Sequence, residues 1–167
     1  TASLAILGGD ADVDEYIRKT RSNVQDVEAA IVQLKAKAVK HKLEDTLING
    51  DGTSNSFNGI DSLCVAGQTV SSGADGATLT VGFIDQLIDE VKGGKPHLLL
   101  MSKRSRRKLK ALRQTSGNIL EQDRDQFGQM VTYYDGIPIT VSDWISDAKT
   151  VGANSDCSTI YALRFGE

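Results

Sequence analysis

Apolar residues recur at steps of three and four between residues 24 and 48, which is the spacing of one face of an α-helix. The stripe consists of Val24, Val27, Ile31, Leu34, Ala38, Val39, Leu43 and Leu47. Ser22–Gln25 fits a capping box at the start, and Asn49-Gly50 predicts a left-handed cap at the end. The pattern predicts a helix of about 25 residues, which at 1.5 Å per residue is roughly 37 Å long.

The chain after this helix alternates loops with shorter periodic segments. Residues 51–80 are rich in Gly, Ser, Thr, Asn and Asp, with short extended stretches expected at 63–66 and 78–80. Thr80 fits the N-cap of a helix with one apolar face, which Gly93-Gly94 ends. A buried strand at 97–101 then leads into a helix at about 103–115, capped by Ser102 and ended by Gly117.

Asp135-Gly136 lies between two runs of β-branched and aromatic residues, which predicts a tight hairpin over about 129–142. Pro138 cannot donate to a ladder, so its strand is expected at a sheet edge or in a bulge. A last strand is predicted at about 159–165. Helices interleaved with antiparallel strands predict an α+β domain with a mixed sheet.

Charge is unevenly distributed along the chain. The net charge of −3 includes seven positive residues within eleven positions, which leaves −10 on the remainder. They are Lys103, Arg104, Arg106, Arg107, Lys108, Lys110 and Arg113. Neighbouring like charges on a helix repel by a few tenths of a kcal/mol per pair, so we expect an acidic partner. An acidic neighbouring subunit, an intramolecular or solvated face and a nucleic-acid phosphate all stay open, and the acidic remainder favours the subunit contact.

Candidate catalytic, cofactor and metal sites each have a simpler structural interpretation. The chain has two histidines, no GxSxG elbow and no GxxxxGK phosphate loop, so no catalytic or cofactor-binding residue is predicted and an enzyme is not expected. Cys64 and Cys157 lack metal-ligand spacing. Asp10, Asp12 and Asp14 are better read as helix caps and solvated acids than as metal ligands. No apolar run approaches the roughly 20 residues of a membrane-spanning helix.

The segment Tyr133–Asp143, placed after the basic run, occurs with several further short motifs in a fixed order. These are Leu7–Asp10 with Val13-Asp14, Ile48–Thr53 with Phe57–Ile60, and Asp125–Gly128. In that order the sequence resembles the major capsid protein of tailed bacteriophages, whose Hong Kong 97 fold is shared with encapsulins.

The resemblance implies a Hong Kong 97-type capsid fold fragment of the α+β class, an axial domain with a mixed sheet plus the long spine helix of the peripheral domain. Residues 1–50 would be the spine-helix part, 51–145 the axial domain, and 146–167 a strand segment returning towards the peripheral domain. The family's N-terminal arm and extended loop would precede the spine helix, so Thr1 and Glu167 are expected to be ends of a fragment.

The function implied is that of a structural subunit of a tailed-phage or prophage icosahedral capsid that encloses the genome. Such a subunit would be made in the bacterial cytoplasm and end in the virion. Its partners would be other copies of itself, in pentamers and hexamers, with a scaffold or maturation protease as further candidates and nucleic acid enclosed without specific binding. The alternatives are an encapsulin-type compartment shell protein and, in a different class, a small nucleic-acid-binding protein that uses the helix at 103–113.

Overall fold

The computed structural model describes residues 4–21, 26–53, 56–64, 66–117, 120–124 and 126–166. The chain divides into two compact units, Thr1–Cys64 and Val65–Glu167. The first unit is helical, and the second contains the sheets.

Three helices make up the described part of the first unit: α1 (Glu15–Arg21), α2 (Val27–Asn49) and α3 (Ile60–Leu63). Helix α2 has 23 residues without a break, which corresponds to roughly 34 Å and confirms the predicted long helix. The carboxylate of Asp26 caps its start by accepting a hydrogen bond from the Ala29 amide at 3.1 Å. The capping box predicted at Ser22–Gln25 lies outside the described residues.

The end of α2 differs from the predicted left-handed cap. Gly50 has φ −61° and ψ 137°, so its backbone is extended rather than left-handed. Only glycine fits at this position, because a Cβ atom on residue 50 would lie 2.2 Å from the Phe57 carbonyl oxygen and 2.5 Å from the Thr46 carbonyl oxygen. The bridge between Asp51 and Asn58 holds the returning chain against this point.

The apolar stripe of α2 is largely exposed. Leu34 is 64% exposed and Leu47 is 53% exposed, whereas the buried side chains of the helix are Thr46 and Ile48. The Leu34 side chain is therefore not buried, although it belongs to the apolar stripe. Periodicity predicts an apolar face, but it does not show whether the same chain covers that face.

The second unit begins with a 3₁₀ turn at Ala66–Gln68 and then alternates helices with strands. Its elements are α4 (Val81–Asp89), β1 (Leu98–Met101), α5 (Lys103–Thr115), β2 (Glu121–Arg124), β3 (Met130–Tyr134), β4 (Ile137–Val141), β5 (Lys149–Val151), β6 (Asn154–Cys157) and β7 (Tyr161–Leu163). The extended stretches expected at 63–66 and 78–80 are not strands, since Leu63 ends α3 and Ala66 starts the 3₁₀ turn.

Five strands form one mixed sheet in the order β2-β3-β4-β1-β7, and β5 and β6 form a separate two-stranded ribbon. Strand β1 runs parallel to β4 and antiparallel to β7. This architecture confirms the predicted α+β class with a mixed sheet. Strands β2, β5 and β6 were not predicted, and all four residues of β2 are exposed, so no apolar alternation marks that strand.

The predicted hairpin is confirmed as β3 and β4. Asp135 and Gly136 both have positive φ, 50° and 74°, which is the type I′ geometry that matches the twist of paired strands. The edge position expected for Pro138 is wrong, because β4 lies between β3 and β1. Proline is accommodated because the ladder between β4 and β1 begins one residue later, at Ile139 opposite Leu99.

The core of the second unit forms where α4 and α5 cover the sheet. Its buried members are Ile84, Ile88, Leu99, Met101, Leu109, Leu120, Tyr134, Ile137 and Ile139. Thr80 caps α4 and Ser102 caps α5, as predicted, through hydrogen bonds from Phe83 and Ser105 amides. Leu109 is the fully buried residue of α5, with no measurable exposure.

We expect Leu109→Ala to lower the free energy of unfolding by about 2–5 kcal/mol, because it removes buried methyl groups and leaves a cavity. Leu34→Ala is the matched control, since Leu34 is also a helical leucine but is 64% exposed, and it should cost much less. Urea unfolding followed by circular dichroism measures both variants. Equal losses in the two would contradict the placement of the core.

Candidate subunit-contact surface on helix α5

Helix α5 has one face in the core and the opposite faces in solvent. Ser105 and Leu109, four residues apart, are its buried positions. The predicted candidates for subunit contact, Lys103, Arg104, Arg106, Arg107, Lys108, Lys110 and Arg113, all lie on this helix. Several stand in its first turn, where the positive end of the helix dipole disfavours cations. Acidic neighbours are therefore needed at this end of the helix.

Among the described residues, three of the seven cations form an ion pair or a cation–π contact. The Lys103 ammonium lies 2.6 Å from a carboxylate oxygen of Asp143. The Arg104 Nε lies 3.4 Å from Asp147 Oδ1, and its guanidinium also donates to the Asp156 carbonyl oxygen. These contacts place acids beside the start of α5 and offset the unfavourable dipole there.

Arg113 lies at the other end of the helix and contacts the sheet. Its guanidinium carbon is 5.3 Å from the centre of the Tyr134 ring, a cation–π geometry. The Tyr134 hydroxyl donates a hydrogen bond to Asp85 of α4. Burial, then the hydrogen bond and charge of Asp85, raise the pKa of Tyr134, so the phenol stays protonated. Tyr134 thus joins β3 to α5 through Arg113 and to α4 through Asp85.

Asp147 is held by the start of α5 and by the segment after β6. Burial raises its pKa, but hydrogen bonds with Ser102 and Ser158 and the charges of Arg104 and Arg107 act in the opposite direction. The net result is a pKa below the ordinary value of an aspartate. The ionised carboxylate is therefore the form that stabilises this junction.

The remaining four cations, Arg106, Arg107, Lys108 and Lys110, are exposed and form no ion pair with any carboxylate in the described ranges. Three of them, together with Lys103, line a shallow groove of about 460 Å³ between α5 and the strands β2 and β3. Its lining consists of Lys103, Arg106, Arg107, Lys110, Gln114, Leu120, Gln122 and Thr132. We call this surface the basic groove. Lys108 is not part of its lining.

Helical spacing explains which cations reach the basic groove. Residues three, four, seven and eleven positions after Lys103 fall on one helix face, and these are Arg106, Arg107, Lys110 and Gln114. The opposite wall includes Gln122 and Thr132, which are register partners on β2 and β3. Sequence reasoning found the cations but not this wall, because no residue pattern marks β2 as a strand.

The other candidate chemistries lie elsewhere and do not converge. Asp14 caps α1, accepting hydrogen bonds from the amides of Tyr16 and Ile17 at 2.8 and 3.2 Å. Asp51 accepts from the Thr53 amide at 3.0 Å and lies in a turn. In the ranges that the structure describes, no three His, Cys, Asp or Glu residues are placed to hold a metal ion. Nor is any described helix long and apolar enough to cross a membrane.

The model of the phage capsid family matches residues 21–166, and the chain belongs to that family. The fold is similar to that of an encapsulin complex from Synechococcus elongatus solved by electron cryomicroscopy, with a TM-score of 0.75 and 22% sequence identity. The match covers 94% of this chain and 51% of the other, so this chain spans about half the length of that encapsulin. A comparison with curated proteins gave no match. The Hong Kong 97-type fold expected from the sequence is thereby confirmed.

The depressed pKa of Asp147 predicts a defined pH dependence. Because the folded pKa is below the unfolded value, the carboxylate stabilises the fold above about pH 4, and this stabilisation is lost as the pH falls through the folded pKa. Asp147→Asn should therefore be less stable than the parent at pH 7, and the difference should shrink below about pH 4. Urea unfolding at pH 7, 5 and 3 measures it.

Asp12→Asn is the control for this experiment, since Asp12 is an exposed acid with no ion pair among the described residues. It should leave stability nearly unchanged at each pH. If Asp147→Asn matched the parent at pH 7, the carboxylate would not stabilise the start of α5.

Proposed function

We propose that the protein is a structural subunit of the icosahedral shell of a tailed phage or prophage. The observation that carries this proposal is the family match over residues 21–166, on a chain whose fold is that of a capsid shell protein. The subunit would be made in the bacterial cytoplasm and end in the virion. It would have no catalytic role of its own.

We further propose that residues 1–50 form the spine-helix part of the peripheral domain, that 51–145 form the axial domain, and that 146–167 return towards the peripheral domain. Copies would assemble as pentamers and hexamers, with a scaffold or maturation protease as further partners. Nucleic acid would be enclosed without specific contacts.

The charge distribution of the second unit supports a contact between copies. Residues 65–167 contain twelve basic and twelve acidic residues, so the seven cations of α5 are matched by acids elsewhere on the same unit. Opposite charges on two surfaces of one subunit suit head-to-tail contacts, and such contacts close into rings when the rotation allows. We therefore propose that the exposed cations of α5 face the acidic surface of a neighbouring copy.

The second candidate is an encapsulin-type compartment shell, and the structural likeness to an encapsulin favours it. The two proposals share the shell but differ in what is enclosed. The neighbouring genes separate them: terminase, portal and protease genes indicate a phage, whereas a peroxidase or ferritin-like cargo gene indicates an encapsulin.

Protein expressed from the whole reading frame should form closed particles of uniform diameter. Because each subunit contact is weak and repeated by symmetry, assembly should rise steeply with protein concentration. Negative-stain electron microscopy combined with light scattering measures this. A folded protein that stays monomeric across the concentration range would contradict the shell proposal.

Reversing two charges in the basic groove tests whether α5 makes a subunit contact. Arg106→Glu/Arg107→Glu should block particle formation while leaving the subunit folded, because both side chains are exposed and neither makes an ion pair within 4 Å of a described carboxylate. The charge of Arg107 also acts on Asp147, so the folding of this variant is checked first. Circular dichroism confirms folding, and microscopy counts particles. Two results together would favour the nucleic-acid-binding alternative. The variant would form normal particles, and the parent would bind duplex DNA with an affinity that falls with salt at a log–log slope of about 0.9 per phosphate contacted.

A further inference from the structure

The described chain begins with a segment that combines apolar and acidic side chains. Leu4 is 101% exposed and Ile6 is 91% exposed, so both side chains lie in solvent. Residues 4–14 form neither helix nor strand. Exposing two large aliphatic side chains is unfavourable by about 1.5–3 kcal/mol each relative to burial, which is a reason to expect a partner surface.

Two acids of this segment have no partner among the described residues. Asp14 caps α1, and Glu15 pairs with Lys19 at 2.8 Å. Asp10 and Asp12 are exposed and make no ion pair within the described ranges. The segment therefore offers two free carboxylates two positions apart, preceded by aliphatic side chains.

The basic groove has complementary charge and spacing. Arg106 and Lys110 are one helical turn apart, which is about 6 Å along the axis. Carboxylates at i and i+2 of an extended peptide lie on one side, about 6.5–7 Å apart. Thr132 and the aliphatic stems of the lysine and arginine side chains supply apolar surface beside these charges.

We propose that residues 4–12 of one copy bind the basic groove of a neighbouring copy, with Asp10 and Asp12 paired to the cations of α5. The proposal rests on the proposed shell function, since it requires neighbouring copies. Each copy then donates one segment and accepts one, which is a head-to-tail contact that can close a ring.

An acidic peptide fits the groove better than nucleic acid does. None of the eight lining residues is aromatic, so the groove has no aromatic side chain on which a base could stack. The cations of the lining span residues 103–110, which is only about 10 Å of helix and suits a short peptide. The aliphatic stems of Lys103 and Lys110 also offer apolar surface to Ile6 and Leu7 of the segment.

A labelled peptide of residues 4–15 tests the proposal by fluorescence anisotropy with the whole chain at low ionic strength. Saturable binding is expected, and Arg106→Glu/Arg107→Glu should weaken it at least tenfold. Lys108→Glu is the matched control, because it reverses an exposed charge on the same helix outside the groove, and it should change the affinity less than threefold. Lys110→Gln is a second groove variant in case the double variant does not fold.

A charge swap tests whether the contact between the segment and the basic groove is specific. A peptide with Asp10→Lys and Asp12→Lys should bind the parent weakly and recover affinity for the Arg106→Glu/Arg107→Glu chain. Absence of peptide binding at low salt, or an equal loss in Lys108→Glu, would overturn the proposal. So would duplex DNA binding that depends on the groove while the peptide does not bind.

Particle formation by the same variants separates this contact from the shell function. If the protein forms closed particles but does not bind the peptide, the segment contact is ruled out and the shell proposal is retained. Peptide binding by a protein that never forms particles from its whole reading frame would instead count against the shell.

Discussion

The burial of Leu109 against the sheet is the constraint on which the proposed contact surface depends. One fully buried leucine and the capped start at Ser102 fix the rotation of α5 about its axis. With that rotation fixed, the helical repeat decides which cations face solvent and which face the chain. The basic groove is thus a consequence of core packing as much as of charge.

The seven cations divide into two groups with different roles. Lys103, Arg104 and Arg113 are joined to Asp143, Asp147 and the Tyr134 ring, and they fasten both ends of α5. Arg106, Lys108 and Lys110 form no ion pair among the described residues, and Arg107 acts on Asp147 only through its charge. Exposed ion pairs contribute little each, so the packing of α5 provides the stability while the unpaired charges stay available for another molecule. This division suits the proposed contact between copies.

Much of the fold was predictable because several local signals agree with it. Apolar periodicity predicted α2, capping residues and glycine stops predicted α4 and α5, and Asp135-Gly136 predicted the hairpin. The failures have physical causes. Strand β2 is exposed on both faces and has no apolar pattern, and Pro138 is tolerated inside the sheet because a ladder starts after it. The cations of the site could be identified from the sequence. The groove could not, because its opposite wall is formed by β2 and β3 and no residue pattern marks β2 as a strand.

The claim that assembly buries the basic groove is tested most directly by lysine labelling before and after particle formation. Lys110 lines the groove and Lys108, two residues earlier on the same helix, does not, although both are exposed in the single chain. Mass spectrometry of the labelled protein should show Lys110 protected in assembled particles and Lys108 as reactive as before. Equal reactivity of Lys110 in the free and assembled protein would contradict this account.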